Sequence, residues 1–338
     1  MNIASILERD TPDGETTDFD VVVVGAGPVG LYAAYYAGFR GLRVAVVDPL
    51  PQVGGQVTAL YPEKLIHDVA GFRAIRGQDL VDGLVDQMAQ WEPSVYLGEV
   101  AQELGGDQDL VLGLSGGREL TTRGLLLAAG LGSVSPKPLP AARDFHGSGL
   151  VHFVPSLDSF DGKAVVVVGG GDSAVDWAIA AAERADSVTL VHRRRGFRAH
   201  QASLERLRRT DVRQVLEAEV SEIHGSGSIE AVSVHTPDTG DVQHVPCGLL
   251  VAALGFNTAL GPIAEWGLQM SGRHVAVDSS MRTSRERVYA AGDVSEYSGK
   301  VRLISVGFGE AAIAVNHLAR DLDPDAGVFP GHSTNEGG

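Results

Sequence analysis

A glycine pattern that occurs twice constrains this chain more than any other feature. Gly25-Ala26-Gly27-Pro28-Val29-Gly30 follows the apolar run Val21 to Val24, and Gly169-Gly170-Gly171-Asp172-Ser173-Ala174 follows Val165 to Val168. The runs read as buried strands, and the residues after them, 31–37 and 174–182, as helices. In such a strand–turn–helix the first glycine makes the tight turn, the second lets backbone approach a pyrophosphate, and the third position, Gly30 or Ala174, lets helix pack on strand. The free N–H groups and dipole of the helix N-terminus then favour the anion. Strand, helix and a charged residue at the proper distance are the contexts that lift this motif above chance.

The two copies differ at the position that selects the nucleotide. Twenty-three residues after its first glycine, the first copy has Asp48, closing the strand Arg43 to Val47, and the second has His192, opening His192-Arg193-Arg194-Arg195 after the strand Val188 to Val191. A carboxylate there accepts ribose hydroxyls and repels a 2′-phosphate, which suits FAD or NAD. Arg193 and Arg194, with Arg198, offer planar forks that grip a phosphate bidentately. Two such contacts, at about 1.5–3 kcal/mol each, imply roughly a hundred-fold or greater preference for NADPH over NADH. The later arginines Arg206, Arg208, Arg209 and Arg213 read as a solvated basic face, and the whole cluster from Arg193 to Arg213 offers a basic patch for docking an acidic partner.

The 338 residues give room for two domains, and 44% apolar content fits an α/β protein. A formal charge of −16 speaks against a nucleic-acid surface. No apolar stretch reaches membrane-spanning length, and the polar stretch Met1 to Phe19 lacks the apolar core of a signal peptide. The single cysteine, Cys247, excludes an internal disulfide, makes a reducing cytoplasm the expectation, and reads as a small apolar residue starting the strand 248–251. No metal site is expected.

The fold class expected is α/β, with two dinucleotide-binding, three-layer Rossmann-like domains, the second inserted in the first. Residues 1–18 are an N-terminal extension, 19–133 with 255–322 the first domain, 134–254 the second, and 323–338 a tail. The buried strand 124–130 is echoed by 249–255, the Pro-rich stretch 135–140 reads as a linker, and a small-residue helix is expected over Glu310 to Leu318.

The order Gly25–Gly30, Asp48, Gly54-Gly55-Gln56, Gly169–Ala174, His192-Arg193-Arg194 and Ala291-Gly292-Asp293 resembles the thioredoxin-reductase branch of FAD/NAD(P)H flavoproteins over nearly the whole chain. Thioredoxin reductases proper carry a C-x-x-C pair just before the second fingerprint, where this chain reads Val151 to Asp158 with no cysteine. Reduction of thioredoxin by thiol exchange is thereby excluded, since it needs an attacking thiolate and a resolving partner. The finer resemblance is to the thioredoxin-reductase-like ferredoxin–NADP⁺ reductases of bacteria. It rests on Tyr61 to Phe72, Gly169 to Ala178, Gly299 to Ile304 leading into Gly307 to Ala312, and the tail Pro330 to Thr334.

That resemblance implies an FAD-dependent enzyme passing hydride between NADPH and flavin N5, and single electrons to or from ferredoxin or flavodoxin. It implies that Gly25, Gly27, Pro28, Asp48, Gln56, Asp293 and Ile304 hold FAD and that Tyr61 stacks on one face of the isoalloxazine. His332, from the partner subunit of a homodimer, covers the other face, with Ser333 near N5. Gly170, Gly171, Asp172, Ser173, His192, Arg193, Arg194 and Arg198 fall to NADP(H). His152 and His200 have no motif-level support as catalytic acids. Two rivals remain: a reductase of small disulfides, which would be expected to carry a cysteine near the first fingerprint where this chain has Val29, and a flavin-based redox sensor on the same fold.

Overall fold

The computed structural model describes residues 18–106, 109–325 and 327–328. The chain divides into two compact units, Met1–Ser133 with Thr258–Gly338, and Val134–Asn257 inserted between them. The first stretch runs β1 (Asp18–Val24), α1 (Pro28–Phe39), β2 (Val44–Asp48), α2 (Gly77–Ala89), β3 (Ser94–Leu97), β4 (Ala101–Gly105), β5 (Leu110–Leu114) and β6 (Glu119–Leu127). The inserted unit contains β7 (Leu150–Val151), β8 (Ala164–Val168), α3 (Asp172–Ala182), β9 (Ser187–His192), α4 (Gln201–Leu207) and β10 (Arg213–Leu216). It continues with β11 (Glu219–His224), β12 (Ala231–Thr236), β13 (Asp241–Pro246) and β14 (Leu249–Ala252). The chain then returns to the first unit with β15 (Val288–Ala290) and α5 (Ile304–Leu322). The connecting segments, Ser133–Pro136 and Phe256–Ala259, pair as a two-stranded ribbon, so the Pro-rich linker begins as a strand.

In the first unit the sheet order is β3-β2-β1-β6-β5-β4, with β15 added on β6. Beside β1 on one edge, strand β6 serves two partners on the other because it is long: Leu120 to Thr122 pair antiparallel with β5, and Leu125 to Leu127 pair parallel with β15. Successive side chains of β1 point to opposite faces. Val21 and Val23 join Leu31, Val81, Val85 and Val315 of the helices, while Val22 and Val24 join Leu112, Leu127, Trp266 and Leu268. With both faces covered, the strand must be apolar at every position, which is why it reads as an unbroken valine run.

The inserted unit repeats this logic with a parallel sheet in the order β7-β14-β8-β9-β10. Helix α3 packs against β8 and β9. On another side Val166, Val168, Val191 and Leu250 share a core with Val220, Val232, Val234 and Val245 of the antiparallel sheet β11-β12-β13. Among the described residues no helix is long and apolar enough to cross a membrane.

Helix α5 is longer than the expected Glu310–Leu318, starting at Ile304 and ending at Leu322. Gly307 does not break it, because it is the place where the helix meets α1: a Cβ there would lie 2.5 Å from Val29 Cγ2. A similar fit governs Gly30, whose added Cβ would collide with the Gly25 carbonyl oxygen, whereas the inserted unit accommodates the methyl of Ala174, which is fully buried. Gly30→Ala is therefore expected to cost roughly 1–3 kcal/mol through overpacking, and Ala174→Gly only about 1 kcal/mol of helix propensity. Thermal unfolding of the two variants should show the larger drop for Gly30→Ala; equal drops would remove the packing explanation.

Candidate functional site

In the first unit the chain leaves β1 at Gly25, whose φ of +111° disfavours any side chain and whose Cβ would collide with the Ala128 carbonyl at the end of β6. Pro28 starts α1, where its missing N–H costs nothing because that group has no helical partner. Gly27 sits at the N-cap with φ −72°, and a Cβ on it would meet nothing within 4 Å. The fold itself thus gives no steric reason for glycine there, and the open space over the helix N-terminus is the cradle that a pyrophosphate requires.

Asp48, at the end of β2, is buried, with 5% exposure, and its carboxylate accepts N–H bonds from Ala26 (2.6 Å) and Leu50 (2.8 Å). Burial pushes its pKa up, against the opposing pull of these two donors. The loop Gly54-Gly55 lies against the same turn, with Gly54 N–H donating to the Ala26 carbonyl (2.8 Å). It starts the short helix Gln56–Leu60, and a Cβ on Gly130 would be 3.6 Å from Gln56 Nε2. Tyr61 caps that helix, half-buried, with Lys64 Nζ 5.8 Å from its ring centroid. Burial, then the negative charges of Asp293 and Asp68, push its hydroxyl up to about 12. Ser305 Oγ donates to the Asp68 carbonyl and accepts from Ala70 N–H, tying this loop to the first turn of α5, which Ile304 begins.

Asp293 lies in the turn Gly292–Val294, directly after β15. Its pKa is raised, chiefly by burial, while Lys300 and Arg302 pull it down. Beneath it is an ion pair that the glycine patterns give no sign of: Lys300 Nζ and Glu310 Oε1 lie 2.5 Å apart, with side chains only 2% and 3% exposed. Glu310 also accepts from Gly292 N–H (2.7 Å) and Tyr297 Oη–H (2.7 Å), and Lys300 donates to the Gly292 carbonyl (2.9 Å). Both backbone groups of Gly292, at φ +77°, are thereby held by one buried pair. Burial and Glu310 push the Tyr297 hydroxyl up to about 12.

The inserted unit has the same turn with other partners. A Cβ on Gly169 would collide with the Ala253 carbonyl, and one on Gly171, the N-cap of α3, would meet nothing closer than 4.0 Å. Gly170 occupies the place of Ala26, and the ring of His192, in the place of Asp48, lies where its Cβ would go. His192 stacks on Phe197 (centroids 5.2 Å, 18°) with Nε2 3.2 Å from the Gly196 carbonyl. Arg198 N–H donates to the Gly170 carbonyl (2.7 Å), and Asp172 Oδ1 accepts from His200 N–H (2.8 Å) and lies 2.7 Å from His200 Nδ1. Residues 192–200 are therefore folded back onto the glycine turn. Arg193, Arg194 and Arg198 are exposed and make no side-chain ion pair among the described residues, while Ser173 is exposed at the start of α3.

The structure thus groups Gly25, Gly27, Pro28, Asp48 and Gln56 around one turn, sets Tyr61 within electrostatic reach of Asp293, and gathers Gly170–Ser173, His192–Arg194 and Arg198 at the other. His332 and Ser333 lie outside the described residues. Sequence reasoning missed Lys300, Glu310 and Tyr297, and the link from Asp172 to His200. Lys300 and Glu310 stand in motif runs, but no spacing rule pairs them.

Comparison with known proteins agrees with this architecture. Residues 19–315 match the family of pyridine nucleotide-disulphide oxidoreductases. A ferredoxin–NADP reductase of Salinispora tropica is 55% identical over 94% of this chain and 99% of its own length, and one of Nocardioides sp. is 54% identical over 96% and 99%. The crystal structure of T. acidophilum thioredoxin reductase superposes with a TM-score of 0.79 at 26% identity, covering 90% of this chain and 99% of that one. The fold and paired glycine turns define an oxidoreductase of two Rossmann-type domains. The chain belongs to the pyridine nucleotide-disulphide oxidoreductase family.

Removing one partner of a buried ion pair leaves an uncompensated charge, at a cost of about 3–5 kcal/mol. Lys300→Met should lose that much in denaturant unfolding, and Lys300→Met with Glu310→Gln should recover a large part of it. A double variant as unstable as the single one would contradict this account. His192 titrates below its ordinary value because of burial, then the Arg193 and Arg194 charges, against the pull of the Gly196 carbonyl. Its neutral form therefore supports the fold fully above about pH 6.5, and that support is lost as pH falls through the window below. Between pH 7 and 5 the unfolding midpoint should fall more steeply for the native chain than for His192→Asn; parallel curves would exclude the effect.

Proposed function

We propose that the chain is an FAD-dependent ferredoxin–NADP⁺ reductase, exchanging hydride with NADPH and single electrons with ferredoxin or flavodoxin. The observation that carries this reading is the 55% identity, over almost the full length of both chains, to a relative named ferredoxin–NADP reductase. Bound FAD would supply the chemistry, accepting hydride at N5 and converting a two-electron donor into a one-electron one. The remaining work falls to the chain. The Gly27 turn and the N-terminus of α1 would hold the flavin nucleotide's pyrophosphate, and Asp48, already fixed by two N–H donors, would accept ribose hydroxyls. Gln56, Asp293 and Ile304 would complete that pocket, with Tyr61 against one face of the ring system and excluding water.

The Gly171 turn would take the second pyrophosphate and Arg193, Arg194 and Arg198 the 2′-phosphate. His332 and Ser333, in the tail 323–338, would cover the flavin of the partner subunit in a cytoplasmic homodimer. The residue ranges 19–133 with 255–322 and 134–254 would then be the FAD and NADP(H) domains. The small-disulfide reductase loses support from chemistry: Cys247 is buried and its thiol is pushed up to about 12 by burial, so it supplies no thiolate near pH 7.

The reading is tested by purifying the chain with its flavin and following NADPH oxidation with ferredoxin, flavodoxin and a small quinone. Arg193→Ala with Arg194→Ala should raise the KM for NADPH roughly a hundred-fold, at about 1.5–3 kcal/mol per lost contact, and leave that for NADH unchanged. A colourless protein that takes up no FAD, or equal use of NADH and NADPH by the native chain, would overturn it.

A further inference from the structure

One short stretch of the chain is unusually rich in arginine. Residues 193–213 hold eight arginines and no lysine against two carboxylates, Glu205 and Asp211, in a chain whose formal charge is −16. The structure sorts these arginines by what they touch. Arg193, Arg194 and Arg198 stand at the Gly171 turn, Arg195 pairs with Glu217 (3.1 Å), and Arg213 donates to Gln243 Oε1 (2.5 Å). Arg206, Arg208 and Arg209 remain: all exposed, at the end of α4, with no side-chain hydrogen bond or ion pair among the described residues.

They are not needed to finish the helix, because Thr210 Oγ1 already donates to the Leu207 carbonyl (2.7 Å). Nor is their platform loose. Leu207 between them is 2% exposed, and Ser203 Oγ of the same helix donates to Asp176 of α3 (3.3 Å). Guanidinium groups are weakly hydrated and match carboxylates bidentately, so a cluster of them on a firm support suits a carboxylate-rich protein surface.

We infer that Arg206, Arg208 and Arg209 form the docking surface for an acidic one-electron carrier protein, an inference that rests on the function proposed above. On so acidic a chain an anionic partner is repelled from most of the surface, and a local basic face decides where encounter becomes productive. The partner's carboxylates meet these three side chains, and the nucleotide arginines stay free for the 2′-phosphate.

The test compares the flavin-loaded native chain with the triple variants Arg206→Glu/Arg208→Glu/Arg209→Glu and Arg206→Gln/Arg208→Gln/Arg209→Gln, using an acidic [2Fe–2S] ferredoxin and, separately, a neutral quinone. The Glu variant should lose about tenfold or more in kcat/KM for ferredoxin and lose its decline with added salt, and the Gln variant should fall between it and the native chain. The KM for NADPH and quinone turnover should stay within about twofold. Ferredoxin turnover as fast in both variants as in the native chain overturns the docking surface and leaves the reductase standing. An equal loss with quinone also overturns it, since the arginines would then act through the nucleotide site or the fold. A native chain that reduces quinone but no ferredoxin overturns the function itself.

Discussion

A parallel strand that turns directly into a helix must pass beneath the end of its neighbour, and the rest of this molecule follows from how closely it does so. At Gly25 the neighbour is the Ala128 carbonyl at the end of β6, and at Gly169 it is the Ala253 carbonyl beyond β14. Neither position has room for a side chain. The close pass aims the helix N-terminus at open space, at Gly27 in one unit and Gly171 in the other. A helix N-terminus open to an anion arises as a by-product of sheet packing, before any side chain is considered.

What differs between the copies is a matched pair of positions. In the first unit the residue after the first glycine is alanine, and its amide is taken by the Asp48 carboxylate. In the second it is glycine, and the ring of His192 fills the space a methyl would need. The two positions must change together, since an alanine at 170 would collide with the imidazole, and a small carboxylate in place of His192 would give up the stack on Phe197. The residue at the end of the second strand is therefore tied to backbone packing, and the middle glycine of Gly169-Gly170-Gly171 has a reason inside the protein.

The sequence was most legible where a feature is local. Valine runs, glycine turns and the charges twenty-three residues on report short-range sterics, and the strands and helices around them formed where the pattern placed them. Legibility failed where a residue's meaning depends on a distant partner. Gly307 looks like a helix breaker until Val29 is set against it, so α5 reads six residues too short at its start. Lys300 and Glu310 look like two surface charges until the Gly292 turn and Tyr297 close over them. Burial of a paired charge is a property of the fold, and periodicity carries no trace of it.

Val29 ties these threads to the chemistry. Where a thiol near the first fingerprint would serve a disulfide reductase, this side chain is a packing residue: Cβ atoms built on Gly292 and Gly307 would approach its methyls to 3.2 and 2.5 Å. The contact joins α1, the turn carrying Asp293 and the start of α5, and so holds these three pieces in register. A cysteine there would have one fewer carbon branch to fill that space, and the only sulfhydryl in the chain is buried in the inserted unit. A chain built this way has no second cysteine to resolve a mixed disulfide. On the proposed function electrons leave singly, to a partner that has to come close, and the place and charge of the approach surface then decide which partner is served.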